Sequence, residues 1–434
     1  MIKFMKITQK KIVIIGSVWP EPNSSAAGWR MMELIYFFQF KNYQITFACS
    51  ASDSQFSFPI EDINIEKVSI ELNNDSFNDF ITELNPNIVL FDRFMTEEQF
   101  GWRVAENCPN AIRILDTEDL HCLRYARQSA FKEKKDFQLV DLNSEIAKRE
   151  IASIFRCDLS LIISEFELDI LKNHFKVDTS ILLYLPFMLN EIDEEKSNQW
   201  KKYSERSHIV FIGNFYHEPN WNSVLFLKED IWPKLSKKLP GVQLHIYGAY
   251  PTQKVQNLNN PKEQFYCFGR AKSAEEVISS AKLLLAPIRF GAGLKGKLAE
   301  AMIHGTPSIT TSIGAEGMNG VLEWNGIIAN SISELINSTA DLYQNETHWK
   351  KAQLNGIEII NKRFNKNDLR EKLDRKIDEI NSALKSHRNS NFVGQMLLHH
   401  SQTSTKYLSK WIMEKNKKSN SYLVVKDKSI NHKY

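Results

Sequence analysis

The chain has 434 residues, 42% hydrophobic and 25% charged, which is too long for one ordinary core and too apolar for a disordered chain. No window approaches the roughly 18 consecutive apolar residues of a membrane span. The net charge of +3 is unevenly held, since residues 381–434 carry +8 and the remainder −5; an acidic body speaks against nucleic acid as a partner.

Five scattered cysteines with no C-x-x-C pair argue against a disulfide framework or a zinc site and fit a reducing, cytoplasmic setting. The opening lysines are followed by an apolar run at 12–15 that stops at Gly16 without a small-residue cleavage site. It reads as a first strand rather than a signal peptide.

Short β-branched runs then alternate with amphipathic stretches, the pattern of βαβ units and parallel sheets. Strands are expected at 11–15, 44–48, 88–91, 111–115, 159–163 and 180–184, with helices such as 26–40 and 97–106 between them. A polar, charged segment at 190–207 reads as a linker. The pattern restarts at 209–212, 243–247, 264–268, 282–286 and 308–311. After about residue 363 the chain reads as helical and hydrophilic. Tyr407, Leu408, Trp411 and Ile412 form a stripe flanked by Lys406 and Lys410, which serves either packing on the body or an interfacial helix on anionic lipid. The expected divisions are 1–190, 191–375 and a basic helical extension at 376–434.

In open parallel sheets ligands bind beyond the carboxyl ends of the strands, and the chemistry-bearing segments all lie there. After the first strand, Ser24 or Ser25 is suited to cap a helix whose opening turn holds Gly28 and Arg30. The loop lacks the G-x-G-x-x-G fingerprint, which counts against a dehydrogenase. Segment 116–124 concentrates Asp116, Glu118, Asp119, His121 and Arg124, more ionisable groups than a turn needs. Gly213, Asn214 and His217 precede Pro219, placed to begin a helix, and Gly269 and Arg270 end a later strand.

Segment 287–302 runs from a strand end through Arg289, Gly291, Ala292, Gly293 and Leu294 into a helix with Lys295 and Lys297 in its first turn. Cations there oppose the helix dipole, and local rules are usually broken at functional sites. A diphosphate resting on that turn reconciles glycines, amides and lysines. No constellation of metal ligands is evident, Asp116 and Asp119 being too few.

Segment 287–307, with Glu300 and the His304-Gly305-Thr306-Pro307 ending, resembles the donor-binding signature of family 4-like glycosyltransferases. Segments 211–220, 268–270, 312–318 and 116–121 resemble the same family, so the resemblance extends to about residue 370. It implies an α/β chain of the GT-B type: two Rossmann-like, doubly wound domains facing across a cleft, acceptor side first and nucleotide-sugar side second.

By the same resemblance, Glu300 bonds the ribose, Gly213, Asn214 and His217 contact the donor, and the backbone at Gly269 and Arg270 meets the base. His121 lies near the transferred sugar, with Asp119, Lys295 and Glu300 as the other expected catalytic residues. The loop bearing Ser24, Ser25, Gly28 and Arg30, with Asp116 and Arg124, lines the acceptor side. Many family members have a glutamate where this chain has Ala292, and for Glu316 a structural and a sugar-facing role are both open.

The implied activity is retaining transfer from a nucleotide-diphosphate sugar to a saccharide or lipid-linked acceptor, with no required cofactor. Cell-surface polysaccharide or glycolipid synthesis, with peripheral contact on an anionic membrane through the basic tail, is the expected setting. The alternatives are a degenerate relative that binds without turnover and a sugar-nucleotide epimerase.

Overall fold

The computed structural model describes residues 9–430, with backbone alone for 401–403 and 416–430. Residues 1–8, with the first lysines, and residues 431–434, the end of the basic tail, lie outside the described residues.

The first sheet contains β1 (Lys11–Gly16), β2 (Gln44–Cys49), β3 (Glu66–Ser69), β4 (Ile88–Asp92), β5 (Ile112–Asp116), β6 (Leu159–Ile162) and β7 (Leu182–Tyr184). They are parallel throughout, in the order β3-β2-β1-β4-β5-β6-β7. Along β1 the side chains alternate between two cores. Val13 and Ile15 join one apolar cluster, and Ile12 and Ile14 join the other on the opposite face. Burial on both faces is why this strand reads as an unbroken apolar run.

The second sheet contains β8 (His208–Ile212), β9 (Leu244–Tyr247), β10 (Phe265–Gly269), β11 (Ala281–Ala286), β12 (Ser308–Thr310) and β13 (Gly326–Ile328), parallel in the order β10-β9-β8-β11-β12-β13. In both sheets the strand order reverses beside the first strand, between β1 and β4 and between β8 and β11. Such switch points open a crevice at the carboxyl ends of the strands. The loops after β8 and β11, which hold Gly213 and the glycine-rich turn, therefore flank one crevice. Every expected strand is present, and two short edge strands, β3 and β13, are additional.

The chain crosses back to the first domain earlier than the boundary expected at 375. Leu189 N–H donates to Phe364 C=O (2.7 Å), and Lys366 N–H to Leu189 C=O (2.8 Å). The helix Lys366–Ser382 then buries Leu369, Leu373, Ile377 and Ile380 in the first domain's core. Its apolar stripe, spaced by three and four, needs a partner surface, and the first domain's cluster around Ile12, Ile14 and Ile88 supplies it.

The extension stays on this domain. Arg388 is paired with Asp158 (2.7 Å), and Lys406 with Glu106 (2.6 Å). Ser409 Oγ and Met413 Sδ face the buried Arg103 guanidinium. Tyr407, Leu408 and Trp411 point away, Trp411 being 60% exposed. Among the described residues no helix is long and apolar enough to cross a membrane.

Candidate active site

After β11 the chain turns through Gly291 (φ +147°) and Gly293 (φ +62°) into the helix Gly296–Ile303. A Cβ at Gly293 would lie 2.8 Å from Asp119 Cβ of the other domain, so both the left-handed backbone and the close approach demand glycine. Lys295 caps this helix and donates to Ala292 C=O (3.0 Å) and Gly293 C=O (2.5 Å). Lys297 donates to Asn220 Oδ1 and lies 4.4 Å from the Phe211 ring centre. Burial pulls Lys297 down to about 7, helped by Lys295, and pushes Glu300 up to about 7 against the pull of Lys297. Two protonation equilibria thus sit near neutrality within one helical turn.

Across the crevice, a Cβ at Gly213 would meet the Asn220 amide at 2.8 Å. Asn220 Nδ2 donates to Asn214 C=O (2.8 Å), so the loop after β8 is tied to the side chain that receives Lys297. His217 caps the helix Glu218–Phe226. Burial, with Arg124 nearby, pulls it down to about 4, so it is neutral at pH 7.

Several expected donor contacts are engaged elsewhere. Arg289 Nε donates to Asn222 Oδ1 (2.8 Å), and its guanidinium lies over Phe226 and Phe131. Arg270 reaches into the first domain, donating to Ser24 Oγ (3.0 Å) and lying 3.8 Å from the Phe56 ring centre. Gly269 has φ +76°. Leu294 packs in the second domain's core, whereas the Ala292 methyl joins an apolar cluster of the first domain.

In the first domain, Ser25 rather than Ser24 caps the helix Ala26–Phe40, accepting from Gly28 N–H (3.0 Å). Arg30 and Asp116, expected on the acceptor side, are spent on each other. Both are buried, 2% and 0% exposed, and paired at 2.8 Å, with Arg30 also donating to Leu185 and Pro186 carbonyls. Asp119 and His121 do come together at the crevice, with His121 Nε2 3.5 Å from Asp119 and Arg124 Nη1 donating to both Asp119 oxygens. Burial pulls His121 down to about 4 although Asp119 opposes it. Against burial, Arg124, His121 and His217 hold the Asp119 carboxylate low.

Three further residues at the site escape sequence reasoning: Arg127 and Glu167 bridge the domains, and Glu150 acts within the first. Arg127 donates to Gly291 C=O (2.9 Å) and bidentately to Glu316 (2.8 Å on both oxygens). Glu316, for which two roles were open, is therefore engaged in closing the domains. Glu150 accepts from His121 N–H (2.9 Å) and Cys122 N–H (2.8 Å) at the start of the helix His121–Lys132. Glu167 accepts from Leu120 N–H and from Gly293 N–H (2.8 Å). The Gly293 amide expected to receive phosphate is thus held by a carboxyl group. The available signal is periodicity: Glu150 follows Ala147 by three and precedes Ile154 by four, and Glu167 precedes Ile170 and Leu171, so each glutamate lies on an apolar stripe.

Among the described residues no group of three or more His, Cys, Asp or Glu side chains is arranged to hold a metal ion. A cavity of about 350 Å³ beside β13, lined by Glu323, Trp324, His348 and Lys351 among others, shares no residue with this crevice. Its size does not make it the reactive site.

Residues 206–345 match the family model described as Glycosyl transferases group 1. Comparison with curated protein sequences gives no match. Among solved structures, sucrose-phosphate synthase from Thermosynechococcus elongatus is 14% identical with a TM-score of 0.64, over 86% of this chain and all of that one. A TarM variant from S. aureus, solved with Fondaparinux, alpha-GlcNAc-glycerol and UDP, is 11% identical with a TM-score of 0.62, over 85% of this chain and all of that one. Anabaena HepE, solved with UDP-glucose, is 11% identical with a TM-score of 0.62, over 85% of this chain and 99% of that one. Residues 206–345 of the second domain thus match the group 1 glycosyl transferases, and the chain as a whole has the GT-B fold.

Proposed function

We propose that the chain transfers a sugar, with retention, from a nucleoside diphosphate to an acceptor hydroxyl. The observation that carries this reading is the meeting, across the crevice, of the turn 291–297 with the Asp119–His121 corner. In this reading Lys295, Lys297 and the opening of the helix Gly296–Ile303 hold the diphosphate, Glu300 takes the ribose, and Gly213, Asn214 and His217 flank the phosphates. The backbone at Gly269 and Arg270 meets the base, and the edge bearing Ser24, Ser25 and Gly28 faces the acceptor. The UDP and UDP-glucose held by relatives of the fold support a nucleoside diphosphate as the leaving group.

As the bond from the anomeric carbon to phosphate oxygen breaks, negative charge grows on the diphosphate, and fixed cations and helix amides lower the energy of that charge. The leaving oxygen takes the acceptor's proton on the same face, while the acceptor oxygen bonds the anomeric carbon. No enzymatic nucleophile is required.

A thermal-shift screen of nucleoside diphosphates and their sugars is expected to raise the melting temperature with one base; at a hundred times Kd the stabilisation is about 2.7 kcal/mol. Glu300→Gln is then expected to lose transfer while melting like the parent. No shift with any nucleotide sugar, or full transfer by Glu300→Gln, would sink the reading. A second reading, binding without turnover, is favoured by Ala292, whose methyl is buried in the first domain's cluster. A nucleotide sugar that stabilises the protein but is neither transferred nor hydrolysed would establish it.

We infer too that the acceptor is a saccharide or lipid-linked chain at the inner face of a membrane, met by the basic extension. The exposed Tyr407, Leu408 and Trp411 lie opposite the face that packs on Arg103. Leu408→Ser with Trp411→Ser is therefore expected to lower partitioning onto anionic vesicles about tenfold or more, as removal of two large apolar groups implies. Stability should be unchanged. Equal partitioning of parent and variant would remove the membrane inference.

A further inference from the structure

Glu167 lies in the helix Glu165–Asn173, 0% exposed. One of its oxygens, Oε1, accepts from Leu120 N–H at 3.0 Å and from Gly293 N–H at 2.8 Å. Leu120 stands between Asp119 and His121 and caps the helix that His121 begins. Gly293 opens the turn that carries Lys295 and Lys297. A single oxygen atom therefore fastens the corner of the first domain to the turn of the second. The other oxygen, Oε2, is buried and has no hydrogen-bond partner among the described residues.

A buried carboxyl group with an unpartnered oxygen costs stability that an apolar residue would not. Its place, where the Asp119–His121 corner meets the turn at Gly293, gives that cost a function. Burial, with Asp119 adding, pushes Glu167 up to about 8, so at neutral pH the group is largely protonated and Oε1 is a carbonyl-type acceptor. A glutamine offers the same acceptor in the same place.

We propose that Glu167 is a positioning residue for sugar transfer: it sets the turn at Gly293 against the Asp119–His121 corner, so the phosphate end and the sugar end of the donor meet one fixed geometry. This rests on the transferase reading above, but it also predicts a domain geometry that needs no substrate. Glu167→Ala frees both amides and lets the turn drift from the corner. Glu167→Asp, one methylene shorter, cannot reach both amides. Glu167→Gln keeps the bridge.

The test compares the three variants with the parent by turnover, by affinity for the nucleoside diphosphate alone, and by the interdomain distance distribution between spin labels placed on the two domains without ligand. Glu167→Ala and Glu167→Asp should lower kcat about 100-fold, the loss expected from a misplacement of about 1 Å. Diphosphate affinity should stay within about threefold, and the distance distribution should broaden. Glu167→Gln should restore kcat to within about fivefold and the narrow distribution.

If glutamine is as poor as alanine, or if alanine leaves kcat within threefold of the parent, the proposal is overturned. Should the parent transfer no sugar at all, the functional reading fails by itself. The distances then still decide Glu167, since a distribution unchanged in both Glu167→Ala and Glu167→Asp overturns the positioning role. If alanine does not fold, the contrast between aspartate and glutamine decides the role by the same two readouts.

Discussion

Arg30→Ala is expected to destabilise the first domain by about 3–5 kcal/mol, because removing one partner of a buried ion pair strands the other charge. Asp116, fully buried, would lose the guanidinium that holds it at 2.8 Å, and the carbonyls of Leu185 and Pro186 would lose their donor. Asp92 stands close by, its own carboxyl pushed up by burial and by Asp116, so the stranded charge has an unfriendly neighbour. For a domain of this size each kcal/mol moves the melting temperature by roughly 2–4 °C, so a fall on the order of 10 °C is expected.

Replacing both partners by apolar residues, Arg30→Met with Asp116→Leu, should recover most of that loss, because the pair's desolvation cost disappears with its attraction. Thermal melts of the two single variants and the double variant make the check. A single variant that melts like the parent yet fails to bind acceptor would return Arg30 to the acceptor side, where its position after the first strand first put it.

What the sequence reveals follows from how far each feature is local. Strands buried on both faces, such as β1 and β4, announce themselves by apolar runs, and so does the restart of the pattern at β8. The edge strands are quieter. β3 is exposed or half-exposed along its length, and β13 is only three residues. An edge strand needs no apolar run because a second neighbour and a covering layer are absent. The return of the chain at Phe364 is hidden for a different reason. The helix Lys366–Ser382 has an ordinary amphipathic pattern, and periodicity tells which face is buried but not against which domain.

The site divides in the same way. The glycine-rich turn is legible because a left-handed backbone and a close approach leave few alternatives to glycine. The Arg30–Asp116 pair is legible as charge at strand ends, yet those two residues are 86 positions apart and their mutual burial is a tertiary fact. Glu150 and Arg127 lie in mid-helix and Glu167 in the first turn of its helix, where charge is the usual solvent-facing choice. Only their register against neighbouring apolar residues hints otherwise. The consequence is functional as well as structural, since Arg127 and Glu167 bring the first domain against the turn that the sequence singles out, while Glu150 holds the His121 corner.

The strongest dependence on conditions should come from Lys297 and Glu300. Lys297, pulled down to about 7 chiefly by burial, is charged below that pH and neutral above it. Glu300, pushed up to about 7 chiefly by burial, is neutral below and charged above. A diphosphate is held by the ammonium form, and a ribose hydroxyl donates best to the carboxylate form. Both favourable forms coexist only near neutrality, so diphosphate affinity should peak close to pH 7. Above it, Kd should rise by about a factor of ten per pH unit, because binding must carry one proton onto Lys297.

Titration calorimetry at pH 8 in buffers of different ionisation enthalpy would register that proton as uptake. Lys297→Ala should flatten the alkaline limb and raise Kd at pH 7 by about 10–100-fold, the worth of a charged hydrogen bond. Glu300→Gln should flatten the acid limb. The ligand's own terminal phosphate titrates on that side too, so the difference between parent and Glu300→Gln isolates the carboxylate's share. Parent affinity that stays level from pH 6 to pH 9 would mean that neither group touches the donor, and the diphosphate would have to be sought away from the turn at Gly293.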